Sequence, residues 1–248
     1  MIKLEHLRKS FGDKHVTRDL SLSVDDGEFL AIIGRSGEGK SVLLKQIIGL
    51  LKPDQGSVEV NGINVTNLTS DRELKKVFKT CGYVFQFAAL LDSLNVFENV
   101  GLAMLEEGIA YDDVVQKVKD GLESVGLSED TMKKYPSELS GGMRKRVGLA
   151  RTLMFSPKII LYDEPTTGLD PISTRLIHEL ILSTRKKTGA TTVVISHDIG
   201  IFEYADQIAM LFEGKIIYKG PAKTIWDCKD EHVHQFIRGL ANGPIQGP

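Results

Sequence analysis

Residues 34 to 41 read Gly34-Arg35-Ser36-Gly37-Glu38-Gly39-Lys40-Ser41 and match the pattern G-x-x-x-x-G-K-[ST] at every fixed position. The glycines allow successive backbone N–H groups to point at one anion. Lys40 and Ser41 are the residue types that contact the β- and γ-phosphates and Mg²⁺ in such loops. The stretch therefore predicts a phosphate-binding loop.

The flanking sequence supports this interpretation. Residues 28 to 33 form a short apolar run that predicts a strand buried on both faces. Apolar residues recur at helical spacing after the loop: Val42, Leu43, Leu44, Ile47, Ile48 and Leu51. A strand, a glycine loop and a helix N-terminus are the context that the motif requires, which argues against a chance match in a glycine-rich turn.

Length and composition restrict the classes of function. The 248 residues suffice for one large domain or two small ones, and we expect one domain with a subdomain. The formal net charge of −2 indicates no overall basic field, so nucleic acid is not an expected partner.

Cys81 and Cys228 lie far apart and match no metal-binding spacing, which suits a reducing compartment. No signal peptide is recognised at Met1 and no apolar run approaches the ~20 residues that span a bilayer, so we expect a soluble chain or one bound to a membrane through a partner.

The sequence around the loop predicts an antiparallel β portion. Residues 2–7 and 15–24 alternate apolar and polar types, and Asn61-Gly62 predicts a type I′ hairpin turn. Phe11 is expected in the connection between the first two strands. It can stack on a nucleotide base or cover the core, and the local sequence leaves both alternatives open.

A second buried strand is predicted at 81–85, ending at Gln86. The apolar loop that follows, defined here as residues 87–94 and including Phe87, Leu90 and Leu91, is expected at the surface and suggests a protein partner. Packing within its own subdomain is the alternative. Helical periodicity over 95–105 and 112–125, together with a helix after Gly142, predicts an all-helical insert of roughly sixty residues.

Ser140-Gly141-Gly142, called the signature segment below, opens that last helix. Ser140 is suited to cap the helix, and the two glycines leave the first backbone N–H groups unshielded. An ordinary capped helix start and a second anion site are both compatible with these residues.

Three further polar residues follow predicted buried strands. Residues 159–164 form an apolar run that ends in Asp163 and Glu164, and the strand at 191–195 leads to His197. Ligands bind at the carboxyl ends of parallel strands, so we interpret Asp163 as a Mg²⁺ partner and Glu164 as a base for water. His197 is a candidate contact of the γ-phosphate, and an ordinary surface histidine is the alternative.

Taken together, these segments, with Asp170, resemble the nucleotide-binding domain of ABC transporters in order and approximate spacing. The resemblance covers the whole chain and implies an α/β fold of the P-loop NTPase type, with a RecA-like mixed sheet core, an antiparallel β subdomain and an all-helical insert. It assigns residues 1–240 to that domain, about 87–155 to its helical subdomain and 241–248 to an irregular tail. Val42, Met143 and Thr167-Gly168 depart from the commonest pattern without removing a catalytic group.

The resemblance also implies a role for each matched residue. Phe11 stacks on the base, residues 34–41 bind ATP, and Ser41, Gln86 and Asp163 hold Mg²⁺. Gln86, Glu164 and His197 are catalytic. The signature segment binds the ATP of the partner chain in a homodimer, and Asp170 belongs to the dimer-interface loop. ATP and Mg²⁺ are the implied cofactors, and ATP hydrolysis coupled to transport is the implied activity.

Met143, residues 85–100 and residues 233–244 resemble the ATPases of Mla/Mce phospholipid transporters. That resemblance implies permease subunits of the MlaE type contacting Phe87, Leu90 and Leu91, an Mce-domain lipid-binding protein, and a small STAS-type regulatory subunit. It places the chain at the cytoplasmic face of the inner membrane. An ATPase of an amino-acid or other small-solute importer shares every catalytic residue and stays open as an alternative, and a soluble ABC ATPase is a third.

Overall fold

The computed structural model describes residues 1–246 of the chain. Its strands are β1 Ile2–Phe11, β2 Lys14–Val24, β3 Phe29–Ile33, β4 Gln55–Val60, β5 Ile63–Asn64, β6 Cys81–Val84, β7 Ile159–Asp163, β8 Thr191–Ile195, β9 Gln207–Phe212 and β10 Lys215–Pro221. Its α-helices are α1 Lys40–Ile47, α2 Asp71–Thr80, α3 Val96–Glu106, α4 Tyr111–Ser124, α5 Gly141–Leu153, α6 Pro171–Thr188 and α7 Glu231–Arg238. Short 3₁₀ helices cover Glu129–Lys133, Pro136–Glu138, Ile199–Glu203 and Ala222–Asp227, none of which the sequence patterns predict.

The chain divides into two compact units. The first comprises residues 1–77 and the chain from Thr191 onward, and the second comprises residues 78–190. The predicted tail ends in Gly247 and Pro248, which lie outside the described residues.

The first unit contains two sheets. Strands β2, β1, β4 and β5 form an antiparallel sheet in that order, as the alternating sequence predicts. Asn61 and Gly62 both have positive φ, at 49° and 77°, which confirms the type I′ turn. The second sheet runs β10, β9, β3, β8, and β3 is parallel to both of its neighbours. All five residues of β3 are buried, as predicted from the apolar run.

The second unit pairs β6 with β7 in parallel and adds α3, α4 and α5, which pack on one another. All five residues of β7 are buried. Strand β6 ends at Val84, one residue short of the predicted strand 81–85 and before Gln86, because residues 85 onward turn to form the connection to α3. Phe11 also differs from expectation, since it is the last residue of β1 and the connection after it is only Gly12-Asp13.

Candidate active site

The phosphate-binding loop requires glycine at two of its positions. Gly34 and Gly39 have φ of 151° and 96°, a region that L side chains rarely adopt. A Cβ at Gly34 would lie 2.3 Å from the Leu211 carbonyl oxygen, and one at Gly39 would lie 2.3 Å from Val16 Cγ1. The loop backbone is therefore fixed by both conformation and space.

Lys40 carries its charge inside this loop. Its side chain is only 4% exposed, and Nζ donates to the carbonyl oxygens of Gly34 (2.9 Å) and Arg35 (2.8 Å). Among the described residues, no side chain caps the N-terminus of α1, which begins at Lys40. A buried ammonium beside an uncapped helix N-terminus creates a strongly positive site that attracts phosphate oxygens.

Phe11 and His197 are the other residues of the first unit that are predicted to contact the nucleotide, and both are exposed. Phe11 is 49% exposed, and the Lys9 ammonium lies 5.4 Å from its ring centroid. His197 follows β8 directly after the buried Ser196. Both side chains are therefore accessible to a ligand, and their predicted roles stay predictions.

The second unit brings together Gln86 and Glu164, two of the predicted catalytic residues. Gln86 Nε2 donates to Glu164 Oε2 across 3.1 Å, and Thr167 Oγ1 donates to the same oxygen across 3.0 Å. Glu164 has φ of 47°, a left-handed backbone that costs a residue with a side chain roughly 1–3 kcal/mol. This strained residue directly follows β7, so its carboxylate is held by both backbone and neighbours.

Asp163, the last residue of β7, is held by a residue that the sequence patterns did not single out. Tyr83 Oη donates to Asp163 Oδ2 across 2.7 Å, and the carboxylate is 7% exposed. Burial, then the hydrogen bond to Asp163, raises the pKa of Tyr83 well above its ordinary value. The only signal in the sequence is a tyrosine three residues before Gln86 on a predicted strand.

Helix α5 fixes the start of the apolar loop. Lys145 Nζ donates to the Gln86 carbonyl (3.1 Å), and the Arg151 guanidinium donates to the carbonyls of Ala88 and Ala89 (2.7 Å each). A Cβ at Gly148 would lie 3.2 Å from Ala88 Cβ. Burial lowers the pKa of Lys145, and the nearby Glu164 charge opposes that shift.

The apolar loop is packed within its own unit in one part and exposed in another, and its contact with a protein partner stays a prediction. Ala88 is 1% exposed and packs within its own unit, whereas Phe87 is 80% exposed and Leu91 49% exposed. Leu90 lies between these extremes. The loop presents separate apolar side chains to solvent from an anchored backbone.

The signature segment begins α5 with a helix cap. Ser140 Oγ accepts a hydrogen bond from the Met143 N–H at 3.2 Å, so the capped-helix interpretation is confirmed. Ser140 is nevertheless exposed, and within 4 Å of a Cβ built at Gly142 there is no described neighbouring atom. The cap therefore leaves the predicted anion site open to a partner.

Asp170 caps α6 in the same way. Its Oδ1 accepts from the Ile172 and Ser173 N–H groups (3.0 Å each), and its Oδ2 accepts from Ser173 Oγ at 2.6 Å. These bonds, the Ser173 hydroxyl first, lower the pKa of Asp170. Its predicted place in a dimer interface stays a prediction.

Two features define the class of protein. One is the strand–glycine loop–helix arrangement with its buried lysine, and the other is a strand that ends at one held carboxylate and is directly followed by a second. These are the features of a P-loop nucleotide hydrolase. The family model described as "ABC transporter" matches residues 17–167. The chain therefore belongs to the ABC transporter family. It is an ATP-binding domain of that family and an ATPase.

Three similar proteins match this chain over most of its length. The "Probable ribonucleotide transport ATP-binding protein mkl" of Mycobacterium leprae is 37% identical over 98% of this chain and 70% of its own length. The "Intermembrane phospholipid transport system ATP-binding protein MlaF" of Haemophilus influenzae is 36% identical over 99% of this chain and 93% of its own. The "Methionine import ATP-binding protein MetN" of Carboxydothermus hydrogenoformans is 39% identical over 91% and 68%.

A solved structure shares the fold. The dimeric ATP-binding cassette MJ0796 bound to ADP and Pi has a TM-score of 0.82 and 31% identity, and the match covers 90% of this chain and 99% of that one. This similarity confirms the predicted ABC-type fold with mixed sheets. Within residues 1–246, no helix combines the length and apolar character needed to cross a membrane.

Proposed function

We propose that this ATPase drives a transporter of the Mla/Mce type, which moves phospholipids between the inner and outer membranes and so maintains lipid asymmetry. The main observation behind this proposal is the extent of the similarity to MlaF, which covers 99% of this chain and 93% of that protein. The match to the methionine importer covers 91% and 68%. A match over nearly the full length of both proteins supports a shared role better than one that leaves about a third of the relative unmatched.

Import of methionine or another small solute is the second candidate. It is supported by the 39% identity of MetN, which is higher than that of MlaF over the matched region. The catalytic residues do not separate the two candidates, because both kinds of transporter hydrolyse ATP. The discriminating experiment must therefore measure what the transporter moves.

The proposed reaction is attack of water on the γ-phosphorus of ATP. A bond forms between the water oxygen and phosphorus, the bond from phosphorus to the β–γ bridging oxygen breaks, and the Glu164 carboxylate accepts the proton. Lys40 neutralises charge that develops on the phosphate oxygens. Gln86 keeps Glu164 oriented through the 3.1 Å hydrogen bond, and His197 is the proposed contact of the γ-phosphate.

Mg²⁺ fits the residues present. Among residues 1–246 there is no cluster of three or more His, Cys, Asp or Glu side chains that could hold a metal by themselves. Mg²⁺ in nucleotide sites needs only one or two protein oxygens besides phosphates and water. Ser41 and Asp163 are proposed to supply these oxygens, Gln86 is a further proposed contact, and the ion would supply charge neutralisation of the phosphates.

The proposed working unit is a homodimer. The signature segment of one protomer caps the ATP bound by its partner, and Asp170 lies in the loop at their interface. The exposed Ser140 hydroxyl and the open space beside Gly142 support this role. The similar cassette MJ0796 forms a dimer in its ADP- and Pi-bound structure.

The proposed membrane partners are MlaE-like permease subunits at the cytoplasmic face of the inner membrane, with an Mce-domain protein and a STAS-type subunit in the complete assembly. Phe87, Leu90 and Leu91 are the proposed permease contacts. Phe87 and Leu91 are exposed apolar side chains, at 80% and 49%, on a backbone that α5 anchors. An anchored backbone would transmit a movement of α5 to the partner.

The test replaces Phe87 and Leu91 with Asp in the full chain. The double variant is expected to leave the membrane fraction while retaining ATP binding. Leu50→Asp is the matched control, since Leu50 is 51% exposed and lies outside the apolar loop. Cells carrying the double variant should become sensitive to detergent with normal solute uptake. A methionine requirement without detergent sensitivity would contradict the phospholipid proposal and support the importer.

A further inference from the structure

Tyr83 contacts Asp163 with its hydroxyl group. The oxygen-to-oxygen distance of 2.7 Å is typical of a strong O–H···O⁻ bond, in which the phenol donates to Oδ2 of the carboxylate. Asp163 is 7% exposed, so little water competes for that oxygen. The bond joins residues 80 positions apart in sequence.

The geometry of the β6–β7 pair explains why Tyr83 can reach Asp163. The strands are parallel, and Tyr83 is paired with Leu161 and Val84 with Tyr162. Tyr83 therefore starts two residues behind Asp163 along the strand direction, and a long phenol side chain spans that offset. The Tyr83 backbone is fixed in turn by Thr152 Oγ1, which donates to its carbonyl at 3.2 Å.

Strand β6 and the turn after it thus supply one donor to each of the two consecutive carboxylates. Tyr83 donates to Asp163, and Gln86 donates to Glu164. The terminal torsion of a free carboxylate is broad, so its two oxygens exchange positions readily. Fixing one oxygen stops that rotation and fixes the direction of the other oxygen as well.

We infer that Tyr83 is a positioning residue that orients the Asp163 carboxylate for a divalent cation and thereby sets the affinity for the metal. This inference rests on the proposed function of Asp163 as the Mg²⁺ partner. Partners that orient a metal ligand through a hydrogen bond typically contribute 10–100-fold in metal affinity or activity.

Tyr162 provides the matched control on the neighbouring strand. It precedes Asp163, is 1% exposed, and its hydroxyl has no hydrogen-bond partner among the described residues. Tyr162→Phe therefore removes the same atom from the same region without touching a carboxylate. Tyr83→Phe keeps the ring, whose centroid lies 4.5 Å from that of Phe85, and removes only the donor.

The experiment measures Mn²⁺ binding to the full chain loaded with a non-hydrolysable ATP analogue, by electron paramagnetic resonance. Nucleotide affinity without metal is measured in parallel. Tyr83→Phe is expected to weaken Mn²⁺ binding about tenfold and to leave metal-free nucleotide affinity unchanged. In ATPase assays, the Mg²⁺ concentration for half-maximal rate should rise, and the rate at saturating Mg²⁺ should recover. Tyr162→Phe should change none of these values.

Unchanged Mn²⁺ affinity in Tyr83→Phe would overturn the inference, and so would an equal loss of metal-free nucleotide affinity, which would indicate general distortion. Asp163→Asn separates this failure from failure of the proposed metal site. If Asp163→Asn weakens Mn²⁺ binding and Tyr83→Phe does not, only the positioning role fails. If neither variant weakens it, the metal assignment fails and the inference fails with it.

A second measurement does not depend on the stability of the Phe variant. The chain with 3-fluorotyrosine at position 83 alone keeps the hydroxyl and adds one ¹⁹F resonance. That resonance is expected to shift when Mg²⁺ is added to the nucleotide-loaded chain, since the metal draws charge from the carboxylate that accepts the phenol bond. A resonance that does not move would contradict the inference.

Discussion

Gln86 donates its side-chain amide to the Glu164 carboxylate across 3.1 Å, and its own carbonyl accepts a hydrogen bond from Lys145 at 3.1 Å. Gln86 therefore lies between the proposed base and the helix that begins with the signature segment. A displacement of α5 would be transmitted through Gln86 to the Glu164 oxygen, which is proposed to orient water. These two hydrogen bonds are the proposed connection between nucleotide chemistry and partner binding.

The first prediction concerns Glu164. Glu164→Gln should reduce ATP hydrolysis at least about 100-fold and preserve ATP binding, because an amide of similar shape cannot accept the proton. With hydrolysis blocked, the proposed dimer should persist in ATP and Mg²⁺, which sedimentation velocity would detect. Monomers at saturating ATP·Mg²⁺ would contradict the assignment of the signature segment to the partner's nucleotide.

The second prediction separates the two phosphate sites. Lys40→Ala should weaken nucleotide binding to the isolated chain by roughly 1.5–3 kcal/mol, the usual contribution of a charge-assisted hydrogen bond. Ser140→Arg should leave that affinity nearly unchanged and stop hydrolysis, since the signature segment is proposed to serve the other protomer. Titration calorimetry of both variants checks this, and equal losses of affinity would refute the division of roles.

The third prediction concerns stability. Gln46 in α1 is 0% exposed, and neither atom of its amide has a hydrogen-bond partner among the described residues. Since each unsatisfied buried polar group costs about 1–3 kcal/mol, Gln46→Met should raise the free energy of unfolding by about that amount. Urea denaturation measures the change.

Gln235 is the matched control for that prediction. It is 6% exposed, and its amide makes three hydrogen bonds to the backbone of Leu240 and Ile245. Gln235→Met should lower the free energy of unfolding, because those backbone groups lose their partner. A loss of stability in both variants would show that Gln46 packs more favourably than its unsatisfied amide indicates.

The fourth prediction concerns the anchor of the apolar loop. Ala88 and Ala89 have left-handed backbones, with φ of 60° and 48°, and Arg151 donates to both carbonyls. Arg151→Met should release this backbone and increase amide hydrogen exchange over residues 87–94. Arg144→Met is the control, since its guanidinium donates instead to the Leu139 carbonyl. Equal exchange over 87–94 in both variants would rule out the anchoring role.

The fifth prediction follows from the two cysteines. Burial raises the pKa of the Cys81 thiol to about 12, so at pH 8 its thiolate fraction is only on the order of 10⁻⁴ and grows as the pH approaches 12. Cys81 is also 3% exposed, whereas Cys228 is partly exposed. Iodoacetamide at pH 8 should therefore label the folded chain once, at Cys228. Labelling of Cys228→Ser at the native rate would contradict this.

Short-range patterns in the sequence determined much of the fold. The phosphate-binding loop, the type I′ turn at Asn61-Gly62 and the Ser140 cap all depend on residues within a few positions of one another. Glycine conformation, helix capping and apolar periodicity act over that same distance. This is why these features could be predicted before any contact was known.

Only the tertiary structure decided which side chains hold the two carboxylates. Tyr83 meets Asp163 and Gln86 meets Glu164 across 80 and 78 residues, through the pairing of β6 with β7. It also decided that Ala88 packs beneath α5 while Phe87 beside it is exposed. Such contacts depend on which strands and helices become neighbours, and no local pattern of residues encodes that neighbourhood.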